Sequence, residues 1–256
     1  MKLHYQSLGQ GQPLILLHGL FGSSNNWGAV AKHFSQTHQV ISVDLRNHGK
    51  SPHADTQNYP DMAEDLLELC DSLNLKSIDL LGHSLGGKVS MQFATQYPER
   101  VERLVVVDIA MRTYPDAQTH LIDAMLALDL ATIQTRSEAD QALSSTITNA
   151  TVRQFLLMNL VKVGDEKSNG NLQWRINLPA LKANYPLIRQ AICESTQFHK
   201  PCLFIRGERS DYIRDDDVEQ IKSHFINAQF ASLTAGHWVH AEQQQAFIHV
   251  VAQFLS

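Results

Sequence analysis

Short, largely apolar runs alternate along the chain with longer stretches whose apolar positions recur every three to four residues. Positions 14–17, 40–43, 77–81, 104–107, 202–205 and 230–233 read as buried strands, and 3–7 as a first strand before a Gly9–Gln12 turn. Helical spacing predicts helices over 27–34, 61–73 (Met62, Leu66, Leu69 and Leu73 on one face), from just after Ser84 to Tyr97-Pro98, and over 242–255. Strands without a polar face, alternating with helices, imply a mostly parallel, twisted sheet covered on both sides. Function then belongs at the carboxyl ends of the strands. His18, Asp44, Ser84, Asp108, Gly207 and His237 all follow strands.

The rhythm breaks over 111–199. That stretch is mainly helical in pattern (121–130, 139–143, 152–161), with a turn at 164–170 and a short strand at 172–176. It is expected to be a cap, inserted between 1–110 and 200–256, which together form the core.

Composition narrows the classes. At 256 residues and 43% apolar content, the chain is long enough for one sizeable core with an insertion. A net charge of −5 and the absence of a Lys/Arg run argue against a nucleic-acid surface. No signal-like N-terminus or bilayer-length apolar run is present, so no membrane role is expected. Cys70, Cys193 and Cys202 lack C-x-x-C spacing and read as reduced thiols of a cytoplasmic protein.

The chemistry centres on Leu81-Gly82-His83-Ser84-Leu85-Gly86-Gly87. A Gly-x-Ser-x-Gly match is weak alone, but between a buried strand and a helix it reads as a nucleophile elbow that exposes the serine hydroxyl. Serine needs a base within hydrogen-bond reach. His237, after the last strand, is the leading candidate; His240 is its rival, and His83 is expected to support the elbow. The His237/His240 pair lacks nearby metal-ligand partners, so no metal is expected.

These features resemble the α/β-hydrolase superfamily over almost the whole chain, and more closely the small bacterial carboxylesterase and acyl-CoA thioesterase group related to mitochondrial α/β-hydrolase-domain proteins. Carrying the closer resemblance are His18-Gly19-Leu20-Phe21-Gly22-Ser23, Asp44-Leu45-Arg46-Asn47-His48-Gly49-Lys50-Ser51, Trp174-Arg175-Ile176-Asn177 and Gly236-His237-Trp238-Val239-His240-Ala241-Glu242. The resemblance implies an α/β-hydrolase fold with a mainly helical cap. It also implies Asp108 as the acid that orients His237, with Ser210 hydrogen-bonding His237 as a fourth member and Asp211 as the alternative acid. Oxyanion-hole amides would come from Leu20 and Leu85, with His18 fixing the first loop. Phe21, Tyr212 and Trp238 are raised as pocket walls, and Arg46-Asn47-His48-Gly49-Lys50-Ser51 is expected to brace the elbow rather than to bind an anionic substrate.

The expected activity is serine-dependent hydrolysis of short-chain carboxylic esters, and of acyl-CoA thioesters, through an acyl-enzyme, without a cofactor. The expected partner is that small-molecule substrate, and the protein is expected to be a monomer or homodimer. C–C hydrolases, cofactor-free perhydrolases and small-molecule receptors share the fold and the triad and stay open as alternatives. Dehalogenases and epoxide hydrolases need an aspartate where Ser84 stands.

Overall fold

The computed structural model describes residues 1–163, 171–192 and 197–256. The expected 164–170 turn and Cys193 lie outside these residues. In chain order the elements are β1 (Tyr5–Leu8), β2 (Gln12–Leu17), α1 (Gly28–Phe34), β3 (His38–Val43), α2 (Tyr59–Ser72), β4 (Ile78–His83), α3 (Leu85–Gln96) and β5 (Val101–Val107). Then come α4 (Thr119–Leu126), α5 (Arg136–Leu143), α6 (Ala150–Leu157), β6 (Leu160–Val163), β7 (Asn171–Trp174) and α7 (Leu178–Ile188). The chain closes with β8 (Cys202–Gly207), α8 (Asp215–His224), β9 (Ala228–Leu233), α9 (Val239–Glu242) and α10 (Gln244–Leu255).

Seven strands form one sheet in the order β1-β3-β2-β4-β5-β8-β9. All pairs are parallel except β1 with β3, which is antiparallel. The apolar strands feed two cores, because successive side chains point to opposite faces. Ile15 and Leu17 pack with Leu66 and Phe93 on one side. Leu14 and Leu16 pack with Trp27, Phe34, Phe247 and Val251 on the other. Burying a side chain of this size stabilises the fold by about 1.5–3 kcal/mol, so a polar residue in the middle of β2 would damage one core whichever way it faced.

The strand order reverses around β2 and β4, and this brings the ends of β2, β4, β5, β8 and β9 together along one edge. Residues between β5 and β8 supply α4 to α7 and the antiparallel β6–β7 hairpin.

Several sequence expectations shift. The 152–161 helix stops at Leu157, and Leu160 and Val161 enter β6, paired with Trp174 and Gln173. Helix α2 begins at Tyr59 because the Asn58 side chain accepts the Asp61 N–H and Pro60 fits the first turn. The last helix starts at Gln244 rather than 242, set off from the short α9 by Gln243, whose φ of −128° and ψ of 49° are not helical. Helices α7 and α8 had no counterpart in the apolar pattern.

Candidate active site

Ser84 sits between β4 and α3 with φ 51° and ψ −115°, a conformation that costs a non-glycine residue roughly 1–3 kcal/mol. Its surroundings hold it there. Ser84 N–H donates to Val107 O (3.0 Å), Gly86 N–H to His18 O (3.1 Å) and Lys88 N–H to Ser84 O (3.0 Å). The flanking glycines are required by space: a Cβ on Gly82 would lie 2.2 Å from Gly86 O, and one on Gly86 would lie 2.4 Å from Leu17 O. The result is a partly exposed serine hydroxyl over an otherwise buried turn.

The hydroxyl meets His237. Ser84 Oγ lies 3.0 Å from His237 Nε2, and His237 Nδ1 lies 2.8 Å from Asp108 Oδ2. An ionised carboxylate only accepts, so Nδ1 carries the proton and Nε2 is left to accept from Ser84. Asp108 is fully buried, with φ 49°. Its Oδ1 accepts from Gly207 N–H (2.9 Å) and its Oδ2 from Ser210 Oγ–H (2.5 Å). The buried charge is thus held by three donors, as a desolvated carboxylate requires.

This corrects one expectation. Ser210 bonds Asp108, not His237; two donors converge on one carboxylate oxygen, and the serine reaches the histidine only through the acid. Asp211, the alternative acid, is exposed; its recorded bond is its backbone carbonyl accepting from Arg112 (2.8 Å). His240 is also set apart from Ser84. Among the described residues its buried Nδ1 has no hydrogen-bond partner, its ring lies 4.5 Å from Trp27, and burial followed by the nearby His237 pushes its pKa down to about 4.

Two loops carry the amides expected to face a developing oxyanion. In the first, Phe21 has φ 63°, its N–H donates to His48 Nε2 (3.2 Å), and Gly22 N–H donates to Gly19 O (2.9 Å). In the second, Gly86 N–H is committed to His18. Leu20 and Leu85, between these fixed points, line the cavity. His18 ties the loops together: its Nδ1–H donates to Gly19 O (2.8 Å) and its Nε2 accepts Leu45 N–H (3.0 Å). His83 Nε2–H donates to the His237 carbonyl (2.8 Å), so it supports the base as well as the elbow.

The loop after β3 is a brace. Arg46 is bound to Asp65 (2.6 Å) and Asp61 (2.9 Å), and Asn177 N–H donates to Asn47 O (3.0 Å). It reaches the elbow through Leu45 N–H and His18, whose carbonyl accepts the Gly86 N–H, and the first oxyanion loop through His48 and Phe21. Asn159, just before β6, donates from Nδ2 to Phe21 O (2.8 Å) across 138 positions, a contact with no sequence signal.

Above Ser84 lies a cavity of about 970 Å³ lined by both the core and the segment between β5 and β8. Phe21, Tyr212 and Trp238 all line it, joined by Phe155, whose ring lies 5.5 Å from that of Trp238. Cys70 and Cys202 are buried elsewhere, their thiols pushed up to about 12 by burial. Among the described residues, no group of three or more His, Cys, Asp or Glu side chains is placed to hold a metal ion, and no helix is long and apolar enough to cross a membrane.

Comparison with known proteins places the chain in a family by sequence and by fold. The family model described as alpha/beta hydrolase fold matches residues 12–244. The chain is 40% identical over 252 residues to the mouse protein named sn-1-specific diacylglycerol lipase ABHD11, covering 95% of this chain and 80% of that one. It is 33% identical over 254 residues to esterase YbfF of Escherichia coli, covering 98% and 96%. A solved structure titled marine microorganism esterase superposes with a TM-score of 0.95 at 39% identity, covering 99% of both chains.

Proposed function

The chain belongs to the α/β-hydrolase family, and we propose that it is a carboxylesterase that uses Ser84 as nucleophile, His237 as general base and acid, and Asp108 as the residue that orients His237. The observation that carries this reading is the continuous hydrogen-bond path from Ser84 Oγ through His237 to Asp108 at the base of the cavity. The relatives named esterase and lipase support ester-bond hydrolysis as the reaction class.

In the proposed cycle, Ser84 Oγ attacks the acyl carbon as its proton passes to His237 Nε2. The carbonyl electron pair becomes an oxyanion, stabilised by the Leu20 and Leu85 amides. Collapse breaks the bond to the leaving oxygen, which takes the proton from His237. Water then repeats the sequence on the acyl-enzyme and releases the acid. Asp108 keeps the Nδ1 proton in place and stabilises the imidazolium in both halves. Acyl-CoA thioesters are proposed as a second substrate class, since a thiolate can leave from the same intermediate.

A cavity of this volume is at the upper end of small-molecule sites and has room for much more than an acetyl group. The expectation of short chains therefore widens to acyl groups that extend toward Phe155 and Trp238. The test is steady-state hydrolysis of phenyl esters from acetate to decanoate, with the matching acyl-CoA series, in wild type and Ser84→Ala. The reading expects Ser84-dependent turnover of the esters, with kcat/KM rising beyond the acetyl ester. Equal rates in Ser84→Ala and wild type would refute it.

A further inference from the structure

Tyr212 does more than wall the cavity. Its ring lies face to face with the His237 imidazole, with centroids 3.8 Å apart and planes 20° from parallel. Both its backbone and its ring are anchored. Tyr212 N–H donates to Ser210 Oγ (3.3 Å), and Tyr114 Oη–H donates to the Tyr212 carbonyl (2.6 Å). Tyr114 Oη accepts from Ala110 N–H (2.7 Å), and the Tyr114 ring stacks on Tyr212 at 5.2 Å. Arg112 covers Tyr114 at 4.1 Å and is itself paired with Asp217. Burial pushes the Tyr212 phenol above its usual value, against the opposing hydrogen bond of Gln118, so the ring is neutral in the working pH range.

We propose that Tyr212 is a positioning residue that selectively stabilises the protonated form of His237. The inference rests on the serine-hydrolase reading and adds to it. An aromatic face is electron-rich and attracts a cation placed over it. In the proposed cycle His237 becomes imidazolium each time it takes the proton from serine or from water. A stack that favours the cation therefore lowers the barrier to both steps and leaves the ground state nearly untouched.

The other groups facing His237 do not provide this. Asp108 binds the Nδ1 edge and Ser84 the Nε2 edge. The His83 ring lies 4.7 Å away, neutral because burial and then the neighbouring histidines push its pKa well down. His240 stands behind His83 at 4.7 Å and is likewise held neutral. Ser210 acts on Asp108, and Asp211 is exposed at the cavity rim. Tyr212 is thus the π face stacked against the base, and it also keeps water off that face.

The test compares wild type, Tyr212→Leu and Tyr212→Phe by the pH dependence of kcat/KM for phenyl acetate. Leucine keeps the cover and removes the π face; phenylalanine keeps the face and removes the hydroxyl. In Tyr212→Leu the midpoint of the acidic limb should move to lower pH and the plateau should fall roughly 3- to 30-fold, through kcat rather than KM. Tyr212→Phe should restore the wild-type midpoint. Proton NMR of the His237 Nδ1–H resonance against pH gives the same midpoint without turnover. An unchanged midpoint in Tyr212→Leu, or an equal displacement in Tyr212→Phe, overturns the proposal. Absence of Ser84-dependent turnover in wild type would instead defeat the serine-hydrolase reading, and the NMR midpoints would still decide the role of Tyr212.

Discussion

Ser210 and His237 donate to the same oxygen of Asp108, at 2.5 and 2.8 Å. The two residues come from loops after different strands, and the acid from the loop after a third, so the orientation of the base depends on three strand ends at once. The Gly207 amide on the other oxygen prevents the carboxylate from swinging away.

Altering the acceptor and removing its serine donor should have very unequal effects. Asp108→Asn leaves no acceptor able to demand the Nδ1 tautomer, and kcat should fall by roughly 10⁴-fold. Ser210→Ala removes one charge-assisted hydrogen bond and should lower kcat/KM roughly 10-fold. Steady-state hydrolysis of phenyl acetate by the two variants checks the ratio.

Asp211 supplies the contrast. Its side chain is exposed, and its contact with Arg112 is made by the backbone. Asp211→Asn should therefore stay within about twofold of wild type, as surface substitutions away from special contacts do. A loss comparable to that of Asp108→Asn, in the same assay, would move the role of the acid to Asp211.

Much of this site was legible because local rules fix it. Glycines at 82 and 86 are needed wherever a strand turns sharply into a packed helix, and Ser84 between them follows from that geometry. Asp108 stands directly after the apolar run of β5, and His237 lies in the turn that follows β9. The partner of Ser210 was not legible, since its bond to Asp108 spans 102 positions and depends on how two loops meet. The stacking of Tyr212 on His237 was hidden for the same reason. Helix α7 was masked by Pro179 in its first turn and Pro186 within it. Helix α8 begins with three aspartates and buries little beyond Ile221, so its apolar period is faint. Strand β7 overlaps the expected 172–176 strand, but β6 was misread as helix because Leu156, Leu157, Leu160 and Val161 fit helical spacing, and only pairing with 171–174 makes the last two a strand.

The contact between Asn159 and the Phe21 carbonyl should matter to both stability and catalysis. Asn159 is buried, and Phe21 is in the left-handed region beside the Leu20 amide. Asn159→Leu leaves the Phe21 carbonyl without its side-chain donor, which should cost about 1–3 kcal/mol in urea unfolding. kcat should fall more than KM rises, because an oxyanion amide acts in the transition state.

Stability should decline on mild acidification. His48 and His240 are buried, and desolvation, followed by neighbouring histidines, brings them to about 3 and about 4 from an ordinary 6.5. The unfolded chain takes up these protons below about 6.5 while the folded one does not. The folded state is therefore most favoured above that value, and stability falls as the pH drops toward the folded values. By pH 5 each such histidine should cost about 2 kcal/mol. Burial also lowers His18 and lowers His83 strongly, in the same direction. Urea midpoints at pH 7.5, 6 and 5 test this; a flat profile would mean that these rings charge without penalty.

The most direct test of the central claim is intact-protein mass spectrometry after rapid acid quench with a slowly deacylating aryl ester, such as phenyl pivalate, followed by peptide mapping. The expected result is a mass increase of one acyl group carried by Ser84, absent in Ser84→Ala. Undiminished turnover in Ser84→Ala, or an acyl group mapped to another residue, would contradict the assignment of Ser84 as the nucleophile.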